Sequence, residues 1–284
     1  MVRAFRWQTL LAGLAALIVG LCAPVTASRS QDVPAAKPAM RENCPGLVAA
    51  DAPRIVPAAL RLAALGADQA RITYVGHASF LIESPQLVRI VTDYNDYVRP
   101  PVLPDIATMN HAHSTHFTDR PDPGIQFVLR GWAGGEAPAR HDLQYKDVRV
   151  RNVPTNIRDW GGGTERHGNS IFIFELANLC VAHLGHLHHT LTQQQLDEMG
   201  RIDVVMVPVD GSYTLDVEGM IEVLRSLKAP IMIPMHYFSS YTLNRFLSRV
   251  REDWDVEYAE IPSIVVSTAS DAEVNRCERS GLLP

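Results

Sequence analysis

Seven of the eleven histidines in this 284-residue chain fall in two short runs, 111–116 and 183–189. Each run follows an apolar stretch of strand character, Ile106-Ala107-Thr108-Met109 before the first and Leu179-Cys180-Val181-Ala182 before the second. A third stretch, Ile231 to Met235, ends on His236. One histidine at a strand end is usually packed or solvated. Three such ends constrain the fold, because the strands must deliver them to one sheet edge, where ligands converge. Neutral imidazole suits zinc and its borderline neighbours, so the pattern points to a metal site.

The rest of the composition fits a globular host for such a site. With 46% hydrophobic and 20% charged residues, the chain can bury a substantial core and is not a disordered polymer. Acidic residues outnumber basic ones by 31 to 26, so no global basic field recruits nucleic acid or an anionic membrane. Arg3 and Arg6, the apolar run Leu10 to Leu21, and Val25-Thr26-Ala27 have the layout of a cleaved secretory signal over residues 1–27. The run falls short of the roughly 20 apolar residues that span a bilayer. A soluble, periplasmic or secreted protein without stable membrane insertion is expected. Residues 28–47, rich in Ala, Pro and Ser, read as a linker, leaving 48–284 as one domain. Cys44 and Cys277 flank that domain and could close a long loop in an oxidising compartment, while Cys180, in an apolar run, is expected to be a buried free thiol.

Strand patterns occur at 71–75, 79–83, 88–92 and 106–109, and again at 147–153, 170–175 and 179–183. Helix and strand then alternate. A capping box at Thr192 and Gln195 opens a helix to Met199, and helices over 217–227 and 243–250 are interleaved with strands 203–209, 231–235 and 264–267. A short helix is expected over 57–65. The architecture predicted is one α/β domain of two face-to-face sheets with helices outside. The glycine-rich segment 159–168 lacks the lysine and the helix of a phosphate-binding loop, and reads as a flexible loop or a lid.

In an extended stretch, residues two apart face the same way, so His111 and His113 are expected to share an ion, with His116 brought round by a turn. His183, His186 and His236 supply the echo from the later strands. His188 reads as a solvated loop residue, and His141 and His167, without partner spacing, as ordinary surface or loop histidines.

Five elements together carry a family resemblance: Ile72-Thr73-Tyr74-Val75-Gly76-His77-Ala78-Ser79, the run His111 to His116, Ala182-His183-Leu184-Gly185-His186, Val207-Pro208-Val209-Asp210-Gly211, and Ile233-Pro234-Met235-His236. In this order the chain resembles the metallo-β-lactamase superfamily, in the branch containing ascorbate-6-phosphate lactonase and the N-acylphosphatidylethanolamine phospholipase D enzymes. The resemblance implies a four-layer αββα sandwich with a metal site, usually binuclear zinc, in the cleft between the sheets. By position, His111, His113 and His183 match one metal site, His116 and His236 the other, and Asp93 a supporting position behind them. His77 and His189 match positions near the cleft that could shuttle protons or contact substrate.

Two departures from the family pattern matter: Thr115 stands where the family has an aspartate, and His186 where it has the bridging aspartate. Two divalent ions close together repel, and anionic ligands normally offset that repulsion. An all-histidine cage is therefore expected to hold one ion tightly, through His111, His113 and His183 with His186 available as a fourth ligand, and a second weakly or not at all. Zinc is expected, with manganese, iron or copper compatible with the donors. Thr115 could orient a zinc-bound hydroxide, and Asp210 is the candidate replacement carboxylate or else a turn aspartate bonded to its own backbone. The function expected is an exported metal-dependent hydrolase acting on a small-molecule ester, lactone or phosphodiester. A metal-binding or sensing protein without turnover is the alternative, and redox chemistry at iron or copper a third reading, since fold similarity does not choose among them.

Overall fold

Within one stretch of chain, Ile171 and Ile173 are fully buried on one side and Phe172 and Phe174 fully buried on the other. Side chains alternate across a strand, so a run buried on both faces must lie in a middle layer. The computed structural model describes residues 64–268 except 134, 136 and 160, together with the backbone of 2–6 and 54–56. In chain order the strands are β1 (Val2–Arg6), β2 (Arg54–Val56), β3 (Gln69–Gly76), β4 (Ser79–Glu83), β5 (Arg89–Val91), β6 (Ile106–Met109), β7 (Phe127–Arg130) and β8 (Asp142–Tyr145). They continue with β9 (Val148–Arg158), β10 (Thr164–Leu176), β11 (Leu179–His183), β12 (Val204–Pro208), β13 (Ile231–Met235), β14 (Trp254–Tyr258) and β15 (Ser263–Ser267). The helices are α1 (Gln193–Met199), α2 (Val217–Leu227) and α3 (Ser240–Val250).

Two mixed sheets result. One runs β14-β1-β13-β12-β11-β10-β9-β8 and the other β2-β15-β3-β4-β5-β6-β7. Between them lies a core in which Phe172, Phe174, Val181, Met206 and Ile233 of the first sheet meet Ile72, Phe80, Ile82 and Ile106 of the second. The opposite face of the first sheet, with Ile171, Val205 and Met232, packs against Ile221 and Leu224 of α2 and Phe246 and Leu247 of α3. The outer face of the second sheet buries Leu81, Val91 and Met109 under the connecting segments that carry Tyr94, Phe117 and Trp132. Among the described residues no helix is long and apolar enough to cross a membrane.

Most predicted elements appear within a residue or two, including the capping box, in which Thr192 and Gln195 cap α1 reciprocally. The segment 159–168 differs. Thr164 pairs with Arg158 and Glu165 with Ile157, so β9 and β10 form a long hairpin with a register shift before Asn169. Its tip is a tight turn in which the Asp159 carboxylate accepts from the amides of Gly161 and Gly163. Strand pairing replaces the expected open loop. Cys180 is disulfide-bonded, which overturns the free-thiol expectation. Cys44, Cys277, the linker, and residues 57–63 of the expected first helix lie outside the described residues. So does the expected leader apart from Val2–Arg6, whose backbone pairs with β13 and β14. Phe172→Ala, which empties the inter-sheet core, is expected to lower stability by about 3–5 kcal/mol in a denaturant titration.

Candidate metal centre

His77, His113, His116 and His236 each offer a ring nitrogen, and these four atoms lie within 4.8 Å of one another. They come from three segments at one end of the sandwich: the β3–β4 turn, the segment after β6, which supplies two of them, and the exit of β13. The Nε2 atoms of His77, His116 and His236 are buried and have no hydrogen-bond partner. Buried polar atoms are almost always paired, so three orphans around one point mark a place for a ligand. Carboxylates fix two of the rings. His116 donates from Nδ1 to Asp93 at 2.5 Å, and His236 donates from Nδ1 to Asp210 at 3.0 Å. Each ring is thereby held in the tautomer whose Nε2 lone pair faces inward, the carboxylate–histidine arrangement of metal sites. His77, Asp93 and His236 hold left-handed backbone, with φ of 52°, 45° and 55°. Such conformations cost a non-glycine residue roughly 1–3 kcal/mol each and gather at functional sites.

Further polar groups hold the carboxylates. Asn110 donates to Asp93 at 3.1 Å. Asp210 accepts from the amides of Ser212, Tyr213 and Thr214 and from the Thr214 hydroxyl. Burial alone would raise the Asp210 pKa, but hydrogen bonds from His236, Thr214 and this turn outweigh it and hold the carboxyl well below the usual range. Asp93 is wholly enclosed, and burial raises it to about 6 despite the nearby histidines. Burial, with repulsion from His236 and His113, depresses His77 to about 3. The same cause, burial first, pushes down His113, His116 and His186.

The gathered set differs from the expected one in instructive ways. Residues 111–116 form a turn, with the His116 amide donating to the His113 carbonyl, so the two-residue alternation does not apply. His113 and His116 converge instead. His111 lies outside the cluster, its Nδ1 2.7 Å from Glu165 and its ring against Trp132 and Phe117. His183 has the same strand parity as Val181 and so points into the inter-sheet core, where its Nε2 donates to the Ala78 carbonyl at 2.8 Å and its Nδ1 accepts from the Gly185 amide. It ties the two sheets together and has no nitrogen to spare. His77 joins the cluster as a donor atom. Thr115 accepts from His113 Nδ1 at 2.8 Å, positioning that ring. Asp210 serves both alternatives raised for it, orienting His236 and capping its own turn.

His186 lies 3.1 Å from His113, Nε2 to Nε2, and its Nδ1 is 2.5 Å from His188 Nε2. His188, expected to be solvated, is buried, whereas His189 is exposed, its ring 6.4 Å from that of His188. His141 and His167, expected to be ordinary surface or loop residues, are outside the cluster but half-buried, His141 donating to the Arg130 carbonyl and His167 lying within β10. Asn110 and Asn169 escaped the sequence reading although they organise the centre. Asn169 accepts from the His186 amide, and Asn110 accepts from the Ser170 amide. Between them Gly185 takes φ 61°, and a Cβ there would collide with both side chains. The position of Asn110 directly before the first histidine run is the one signal that could have pointed to it.

The fold and this centre define a family. Residues 71–236 match the family described as the beta-lactamase superfamily domain, and the chain belongs to it. Its fold is accordingly the metallo-β-lactamase fold. The chain is 22% identical over 234 residues to the "UPF0173 metal-dependent hydrolase" of Archaeoglobus fulgidus, covering 72% of this chain and 100% of that one. A relative of the same name from Thermoplasma acidophilum is 26% identical, covering 60% of this chain and 84% of its own. The crystal structure of a candidate metal-dependent hydrolase from Parabacteroides distasonis shares the fold with a TM-score of 0.50 and 17% identity, over 64% of this chain and 88% of that one.

Two outcomes are expected. Asp93→Asn, which weakens the orientation of His116, is expected to lower zinc affinity about 10–100-fold in a chelator competition, whereas His111→Ala leaves it unchanged. For the metal-free protein, seven rings (His77, His113, His116, His183, His186, His188 and His189) have folded pKa values below 6.5, those of His77 and His188 at about 3 and about 4. Below pH 6.5 the unfolded chain takes up protons that the fold refuses, so stability falls as the pH drops through that window. Asp93, raised from 3.8 to about 6, and Asp203, also raised by burial, act in the opposite direction, but they are two groups against seven. The melting temperature of chelator-treated protein should be lower at pH 5 than at pH 7, and a flat profile would contradict the burial of neutral rings.

Proposed function

We propose that this protein is an exported metal-dependent hydrolase holding one ion, best suited to zinc, and acting on a small-molecule ester, lactone or phosphodiester. The observation that carries the reading is the set of partnerless buried Nε2 atoms of His77, His116 and His236 beside His113. Four neutral imidazoles leave the full positive charge on a divalent ion. Such an ion supplies Lewis acidity and can bring the pKa of bound water to about 7. The chain's own residues do the rest. Asp93 and Asp210 fix the His116 and His236 rings, Thr115 steadies His113, and burial disfavours protonation of His77, His113 and His116. Phe238 and Tyr213, more than half exposed and 5.5 Å apart ring to ring, stand beside the centre, with Phe238 against His77 and His236. They supply an apolar wall suited to the organic part of a substrate.

The count of imidazoles favours a second reading. Four donors complete a tetrahedral zinc site, the closed arrangement of structural ions, and a protein of that kind would bind or sense metal without turnover. The two separate in one experiment. Purified, zinc-loaded protein is expected to retain one equivalent through dialysis and to hydrolyse chromogenic esters or bis(p-nitrophenyl) phosphate. His113→Ala should abolish that turnover and His111→Ala preserve it. Metal retention with no turnover across the panel would transfer the assignment to the binding role.

A further inference from the structure

Hydrogen-bond polarity distinguishes the fifth histidine, His186, from the other four. The starting point is an atom that can only donate: the Arg158 backbone amide lies 2.7 Å from His188 Nδ1. The Arg158 side-chain Nε, also a donor, lies 3.4 Å from the same nitrogen. His188 Nδ1 is therefore a lone pair, and the single proton of this neutral ring sits on Nε2. That proton faces His186 Nδ1 at 2.5 Å, so His186 accepts there and carries its own proton on Nε2. The next step is the same. His186 Nε2–H donates to His113 Nε2 at 3.1 Å, and His113 donates from Nδ1 to the Thr115 hydroxyl at 2.8 Å. One backbone amide sets the polarity of three rings. It leaves His113 with an inward lone pair and His186 with an inward N–H.

We infer that His186 is not a metal ligand but a buried N–H donor facing the metal centre, positioned by His188, which holds an oxygen of the bound substrate. This rests on the hydrolase reading for its substrate and on the hydrogen-bond chain alone for its polarity. When His113 gives its lone pair to an ion, the His186 N–H loses its present acceptor. His186 is only 3% exposed, so water does not readily replace that acceptor. A buried donor left unmet is costly, and a carbonyl, carboxylate or phosphoryl oxygen beside the ion meets it. A preorganised donor aimed at developing negative charge is also what an acyl- or phosphoryl-transfer site requires. The ligand class is thus a small oxyanion or the polarised oxygen of an ester.

Long-range ¹⁵N–¹H spectra of histidine-labelled, metal-free protein read the tautomers directly, and His186 and His188 are both expected as the Nε2–H form. A His186 signal in the Nδ1–H form overturns the inference. For His186→Ala, zinc titration is expected to give the same one equivalent and an affinity close to that of the parent protein. Loss of that equivalent would make His186 a ligand and refute the proposal. Inorganic phosphate, followed by calorimetry on the zinc-loaded proteins, is expected to bind about tenfold or more weakly to His186→Ala, the scale of a hydrogen bond to a charged group, and equal binding refutes the donor role. None of these readouts depends on turnover. A protein that passes them without hydrolysing any substrate removes the enzymatic reading and leaves the donor in place.

Discussion

The centre depends on burying uncharged imidazoles with their lone pairs aimed at one point. Protonation is disfavoured at His77, His113 and His116, where burial and the neighbouring histidines both oppose the charge. Burial and mutual repulsion act in the same direction here. The outcome is a cluster of lone pairs, three of which have no partner inside the protein. Asp93 and Asp210 stand one step back, where they choose tautomers without occupying the centre.

The sandwich exists to make that arrangement rigid. Strands of both sheets end at the same edge, and the turns leaving them adopt left-handed backbone at His77, Asp93 and His236. Strained turns persist only when the surrounding structure overdetermines them. The inter-sheet core beneath, from Phe80 and Phe172 to Met235, supplies that rigidity. His183 contributes from within, bridging from β11 to the Ala78 carbonyl beside His77. It belongs to the support of the site.

Much of this was legible in the chain. The helices 217–227 and 243–250 declare themselves through apolar periodicity, and β4, β6, β11 and β13 through apolar runs that are buried on both faces. The edge strands β8 and β14 were not legible, because each buries little and so shows no strong pattern. The β9–β10 hairpin was hidden for a different reason: glycines and charges at 159–168 look like a loop, and only pairing across the hairpin makes Thr164 and Glu165 strand residues.

The sequence by itself determined that histidines leave several strand ends, that the strands form a buried α/β sandwich, and that the donors suit a metal such as zinc. Tertiary structure alone decided which of those histidines meet. A strand's parity can be read from its neighbours, but a turn's geometry depends on what packs around it. Thus the turn at 111–116 brings His113 together with His116 and sends His111 to Glu165 and Trp132. Hydrogen-bond polarity is more remote still from sequence, since the Arg158 amide and His188 are 30 residues apart and meet only when the hairpin folds against the loop after β11.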